Sequence, residues 1–386
     1  MIYLDYAATT PVDPRVLESM QPFFREQFGN PSSIHRYGQA AEGALSTARE
    51  TVASLLKCQP DEIIFTSCGS ESDNLALRGA ALARRSETGT EKILLSRVEH
   101  PAVVKTAIQL ERMFGFKLGW LEVDELGMIT PRAVSNAIGD DVALVSVMYA
   151  NNEIGTINPI HEIGLLCREK GVVFHTDAVQ AAAYLPLNVD ELSVDLMSLG
   201  AHKFYGPKGV GALFVRKNTG LIPSITGGGQ EFGLRSGTQN VPYIIGFAHA
   251  LSLATDERSD RIRYVIPLRD QIIGTVLETI NDVRLTGHKQ ERLPNHASFV
   301  FKGVDGNLLL ALLDSAGFAC SSGSACKTGN PEPSEVMEAL KLERDWGLGS
   351  LRVTLGMDTQ AGQVKQFLDS LPSLVEKARR LKTGKP

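Results

Sequence analysis

Cysteine is scarce in this chain: five in 386 residues, at positions 58, 68, 167, 320 and 326. An odd, sparse set in a chain of this length argues for reduced thiols and a cytoplasmic setting, against a disulfide framework. No C-x-x-C pair occurs, and His161-Glu162 is not completed by a second histidine, because Leu165 stands in that place. Both common zinc patterns are therefore missing, and so is the G-x-x-x-x-G-K-[ST] phosphate loop. Long apolar runs are missing too. The uncharged run Ser236–Thr255 contains Gly237, Gln239, Asn240, Pro242 and Gly246, which is too polar for a bilayer. No basic and apolar leader follows Met1, so no secretory signal is visible. A formal net charge of -5 with no dense Lys/Arg stripe leaves no nucleic-acid footprint.

What is present is ordinary soluble-protein composition, 43% hydrophobic and 22% charged, in a chain long enough for about two domains. Strand and helix patterns alternate. Asp13-Pro14 opens a helix as N-cap and first-turn proline, and Ala40–Leu56 has one apolar helical face. Strands are expected at Glu62–Thr66, Lys92–Ser96, Lys117–Val123, Val142–Met148, Val172–His175, Val194–Leu199 and Val210–Val215, most of them separated by helical stretches. Such alternation predicts an α/β fold with a mostly parallel sheet covered on both faces. After a boundary near Ala254–Arg258 the pattern changes to a smaller α+β unit: a long charged helix, the strands Ala297–Phe301 and Ser350–Leu355, and a final amphipathic helix from about Thr359 to Leu381.

Chemistry in such sheets gathers beyond the strand ends, and the candidate residues fall there. Ser67-Cys-Gly-Ser70 lies between a strand and a helix expected from Glu71 to about Arg85, with Ser70 and Asp73 spaced as a capping box. By itself the turn reads first as an ordinary capped βα turn and second as an anion cradle, although its free N–H groups and the helix dipole favour an anion. His100, Asn151-Asn152, Asp177 with Gln180, and Lys203 each follow a strand. Lys203 sits in Gly200-Ala-His-Lys-Phe-Tyr-Gly-Pro-Lys-Gly209. A lysine on a glycine-bounded turn can be held still and desolvated, which lowers its pKa and makes it a Schiff-base nucleophile. Taken alone it reads first as one of many surface lysines. The loop Gly227–Thr238 is too glycine-rich for a regular element and long enough to be functional.

His175-Thr-Asp177-Ala-Val-Gln180, Gly200-Ala-His-Lys203, Arg235-Ser-Gly-Thr238 and Ser321-Ser-Gly-Ser-Ala-Cys326 together resemble the NifS/IscS-type cysteine desulfurases, pyridoxal-phosphate enzymes of the class-V aminotransferase group. Leu4-Asp-Tyr-Ala-Ala-Thr-Thr-Pro11, Phe28-Gly-Asn-Pro-Ser32, Glu71-Ser-Asp-Asn74 and Asn151-Asn-Glu-Ile-Gly155 match as well, so the likeness runs in order along nearly the whole chain. It implies a fold-type I transferase. A large domain, 15–255, would hold a mostly parallel seven-stranded sheet; residues 1–14 and 256–386 would form the smaller domain, with the cysteine loop at about 320–333.

The resemblance also implies roles. Lys203 would bond to pyridoxal 5'-phosphate, Asp177 would pair with the ring nitrogen, and Gln180 would reach the ring hydroxyl. His100 would stack on the ring and act as acid and base. Gly69, Ser70 and His202 would hold the phosphate, and Thr238 would reach the partner's phosphate in a homodimer. Asn152 would contact cofactor and substrate, and Arg352 would clamp the carboxylate of L-cysteine. Cys326 would attack the substrate sulfur, carry it as a persulfide to an acceptor or iron–sulfur scaffold protein, and serve as a transient iron–sulfur ligand. The form of the loop resembles the housekeeping subgroup. Three departures stand out. Gly200 replaces a serine usual in the family, Cys68 stands where glycine is common, and Cys320 lies six residues before Cys326. Rival readings are a selenocysteine lyase, another class-V aminotransferase, or a non-catalytic scaffold that binds sulfur carriers.

Overall fold

Short apolar runs form the strands and amphipathic stretches the helices that cover them. The computed structural model describes residues 1–323 and 332–383. Strand β1 (Ile2–Tyr3) opens the chain. Then β2 (Ile63–Thr66), β3 (Lys92–Ser96), β4 (Lys117–Leu121), β5 (Val142–Ser146), β6 (Val173–Asp177), β7 (Leu196–Gly200) and β8 (Gly211–Val215) build one seven-stranded sheet, ordered β2-β8-β7-β6-β5-β3-β4. The pairs from β4 through β7 are parallel, while β8 runs antiparallel to β7 and β2.

Every residue of β2, β5, β7 and β8 is buried, as expected for a sheet covered on both sides. Alternate residues face opposite cores. Ile63, Phe65, Val145 and Met197 join one apolar cluster with the helices Arg36–Leu56, Ile160–Glu169 and Val241–Asp256. Ile64, Leu144 and Leu196 join another with the helices Gly69–Thr88 and Pro101–Phe114. This is the period-two geometry of a strand.

The helix Val241–Asp256 is followed directly by Arg258–Thr279. Beyond it, β9 (Val283–Leu285), β10 (His296–Phe301) and β12 (Ser350–Thr354) form an antiparallel sheet with β10 in the centre. β11 (Phe318–Ala319) pairs in parallel with β1. The N-terminal segment is thereby tied to the C-terminal third, and it then runs on to the end of β7, where Thr10 N donates to His202 O at 2.9 Å.

Two expectations change. The helix expected from Glu71 begins at Gly69, with Cys68 as its N-cap and no side-chain cap, so the Ser70–Asp73 capping box does not form. Glu71 instead accepts from Ser67 N at 2.7 Å and pairs with Arg235 at 2.9 Å. The two- and three-residue strands β1, β9 and β11 are too short to show a hydrophobic period, and they were not expected.

Candidate functional site

Lys203 ends a single 3-10 turn, Ala201–Lys203, directly after β7. Its Nζ donates to Ala7 O at 2.6 Å and Ala8 O at 2.8 Å. The N-terminal segment thus holds the amine with two carbonyls and no carboxylate. Burial, helped by the nearby Arg352 guanidinium, lowers its pKa to about 8. A lysine so placed is a nucleophile near neutral pH.

A cavity of about 300 Å³ lies in front of it, lined by Gly69, Ser70, His100, Asn152, Asp177, Gln180, His202 and Arg352 among others. The fold thus gathers into one cavity residues from five separate places beyond the strand ends. Thr238 is exposed and is not among the residues that line this cavity. Cys326 lies outside the described residues.

Each wall has a local cause. Asp177 closes β6 and is 5% exposed; its Oδ1 accepts from Val179 N at 2.9 Å. Burial raises its pKa, against the favourable charges of His100 and Lys203. A buried carboxylate in this state fits a cationic or N–H partner in the cavity. His100 is the N-cap of the helix Pro101–Phe114, and its Nδ1 accepts from Ala102 N at 3.1 Å. That bond places the proton of the neutral ring on Nε2, and burial lowers the pKa so the neutral form prevails. His202 is held down to about 4 by burial and then by Lys203 and Lys208, with Nδ1 at 3.2 Å from Thr9 Oγ1. Gln180 Nε2 donates to Ala7 O at 2.8 Å.

The phosphate-cradle reading has a concrete basis. The first-turn N–H groups of a helix have no intrahelical acceptor, and here they belong to Gly69 and Ser70 on the cavity wall. A Cβ on Gly69 would lie 2.6 Å from Val179 Cγ2, so the close approach requires glycine. A Cβ on Gly200 would meet Gly69 N at 3.4 Å, an ordinary contact. The helix start, the uncapped N–H groups, the buried carboxylate and the desolvated amine fit a phosphorylated pyridine aldehyde.

Several contacts at the site carried no signal of their own in the sequence. Asp5 pairs with Arg352 Nη2 at 2.8 Å, while Arg352 Nη1 donates to Asn152 O at 2.9 Å. Among the described residues Arg352 Nε is buried without a hydrogen-bond partner, a donor that suits a carboxylate. Asp73 is a buried part of the cavity lining, and its Oδ1, which has no hydrogen-bond partner among the described residues, lies 3.6 Å from His175 Nε2. His175 in turn lies between Ser146 Oγ at 2.9 Å and Ser198 Oγ at 3.0 Å. Burial, and then the charge of Asp177, raises the Asp73 pKa. Glu99, buried next to His100, is pushed up to about 8 by burial while its Oε1 accepts from Met148 N at 2.7 Å. Asp5 stands within a quoted motif and Asp73 within Glu71-Ser-Asp-Asn74; Glu99 had no pattern to mark it. Cys320 is half-buried, and its thiol is raised by burial and by Asp5, which makes it a poor nucleophile.

The aminotransferase class-V family model matches residues 2–367. The chain is 46% identical over 380 residues to a cysteine desulfurase IscS of Dictyoglomus turgidum, covering 98% of this chain and 96% of the relative. Among solved structures it is similar to a NifS-like protein with a TM-score of 0.90 at 36% identity, covering 97% of this chain and 99% of that one. It is also similar to SspA in complex with cysteine, with a TM-score of 0.79 at 34% identity over 92% of this chain and 99% of that one.

Proposed function

The chain belongs to the aminotransferase class-V family and is a cysteine desulfurase, and we propose that it holds pyridoxal 5'-phosphate in the Lys203 cavity and takes L-cysteine to L-alanine with the sulfur passed to Cys326. The observation that carries this reading is the Lys203 amine, desolvated to a pKa of about 8 in a cavity that also presents Asp177, His100 and Arg352. When bound, the cofactor supplies an electron sink for removal of the substrate Cα proton.

The chain's own residues do the rest. Gly69, Ser70 and His202 would hold the phosphate, Asp177 would keep a proton on the ring nitrogen, and Gln180 would serve the ring hydroxyl. Arg352 receives the substrate carboxylate on Nε, which is buried and has no hydrogen-bond partner among the described residues, with Asn152 beside it. Asp5 keeps the guanidinium turned. His100, neutral with its proton on Nε2, can give that proton or take one near the substrate thiol. Lys203, a weak base at neutral pH, can move the Cα proton.

In the net reaction the Cβ–Sγ bond of cysteine breaks and an S–S bond to Cys326 forms. Of the two thiol hydrogens, one ends on Cβ and the other on the persulfide. The carbon is reduced as the transferred sulfur is oxidised, so no outside oxidant is needed. We place Thr238 at the cofactor of a partner subunit, in keeping with its exposure away from its own cavity, and read residues 15–255 as the cofactor-binding domain. Delivery of the sulfur to an acceptor or iron–sulfur scaffold protein in the cytoplasm completes the proposal. The test is Cys326→Ala: with L-cysteine it should keep the cofactor absorbance and lose the sulfur adduct seen by mass spectrometry in the parent protein. Persistence of the adduct on Cys326→Ala would refute the assignment.

A further inference from the structure

Glu153 follows the cavity residue Asn152 in a tight turn, with Glu153 N and Ile154 N both donating to Asn151 Oδ1, at 2.8 and 3.0 Å. Its carboxylate is not among the groups that line the cofactor cavity and meets two residues far along the chain. Ser334 Oγ donates to Glu153 Oε2 at 2.6 Å. The same hydroxyl caps the helix Glu335–Ala339 by accepting from Met337 N at 3.2 Å. On the other side Gly323 abuts the carboxylate so closely that a Cβ there would collide with Glu153 Oε2 and lie 3.1 Å from Ser334 Oγ. Gly323 and Ser334 are residues near the two ends of the segment that contains Cys326. The neighbouring residue Asn152 offers its carbonyl to Arg352 Nη1 at 2.9 Å and to His296 Nε2 at 3.2 Å. One three-residue turn therefore touches the cavity, the proposed carboxylate clamp and both roots of the cysteine segment.

We propose that Glu153 is a positioning residue that clasps Gly323 and Ser334, and so fixes both roots of the cysteine-bearing segment against the wall of the substrate cavity. Fixing two anchor points raises the effective concentration of a group tethered between them. Losing an anchor displaces the reacting atoms, and a shift of about 1 Å can cost on the order of a hundredfold in rate. Glu153 is not among the residues that line the cofactor cavity, so the effect is expected on sulfur capture. The charged groups facing the carboxylate are Arg352, which favours its ionised form, and Glu335, which opposes it; burial dominates and raises its pKa to about 7. The hydrogen bond from Ser334 needs an acceptor oxygen and not a charge, and a glutamine side chain supplies one.

The inference rests on the Cys326 assignment above, and the test separates the two. The cofactor-loaded protein is mixed with one equivalent of L-cysteine. Sulfur gain on Cys326 is followed by quenched mass spectrometry, and substrate binding by the change in cofactor absorbance. Glu153→Ala is expected to slow sulfur gain by about tenfold or more at an unchanged absorbance-derived affinity. Glu153→Gln should restore the rate to within about threefold, as one neutral hydrogen bond predicts. Gly323→Ala, which pushes on the same carboxylate from the other root, should also be slow, and it carries the test should Glu153→Ala fail to fold. Sulfur gain at the parent rate in Glu153→Ala, or in Gly323→Ala where that stands in for it, overturns the clasp. A parent protein that gains no sulfur on Cys326 overturns the Cys326 assignment and the clasp with it, whereas slow gain confined to the Ala variants supports both.

Discussion

The depressed pKa of Lys203 makes a quantitative prediction for the cofactor-free protein. With a pKa of about 8, half of the Lys203 amines are neutral at pH 8, against about 0.3% for an ordinary lysine. Capture of pyridoxal phosphate needs the neutral amine, so at pH 8 it should run about a hundredfold faster than on a solvated lysine. The assay is stopped-flow absorbance on mixing cofactor-free protein with pyridoxal phosphate between about pH 6.5 and 9.5. The logarithm of the rate should climb with unit slope and level off near pH 8. Arg352, second to burial as a cause of the shift, supplies a check: Arg352→Ala removes a cation and leaves Asp5 uncompensated, so the plateau should move to higher pH. The linkage has a definite sign. The folded pKa lies below the unfolded one, so between about pH 8 and 10 the unfolded chain binds more protons and the cofactor-free protein gains stability as pH rises. A rate still climbing at the upper end of the range, or a plateau unmoved by Arg352→Ala, would refute the claim that burial and that guanidinium tune the amine.

Two further perturbations test the frame around the site. Arg49 and Glu231 form a buried bidentate pair at 2.7 and 2.8 Å, with Glu231 Oε2 also accepting from Phe65 N at 2.8 Å. Arg49→Ala leaves that carboxylate buried and unpaired and should cost about 3–5 kcal/mol in denaturant unfolding; an Arg49→Met, Glu231→Gln double variant should lose clearly less, and equal losses would contradict the reading. Gly200→Ser restores the hydroxyl usual in the family at a position where a Cβ meets only ordinary contacts, the nearest at 3.4 Å to Gly69 N. It should hold the cofactor about two- to tenfold more tightly in dialysis, the worth of one hydrogen bond, and weaker retention would show that the phosphate does not sit there.

What could be read in advance follows from the range over which each feature is decided. The βα alternation, the Asp13 cap and the turn after β7 are set by residues a few positions apart, and they appear where the local pattern places them. The start of the helix after β2 does not, because Glu71 is drawn into an ion pair with Arg235 from the glycine-rich loop, a contact that no local rule contains. The same distinction divides the site. Lys203, Asp177 and Gln180 could be named because each follows a strand and stands in a motif, and His100 because it follows a strand. The partners that set their chemistry come from far along the chain: Ala7 and Ala8 to Lys203, Asp5 to Arg352 across 347 positions, Ser334 to Glu153 across 181. A pKa expresses the dielectric and charge of a neighbourhood, and the sequence lists neighbours along the chain, not across it. Glu99 and Glu153 show the consequence, since both are ordinary glutamates in the sequence that burial brings to about 8 and about 7. The residues most open to discovery in such a chain are therefore the ones whose chemistry is made entirely by the fold. Glu153, joining a cavity wall to two distant loop roots, is the clearest of them.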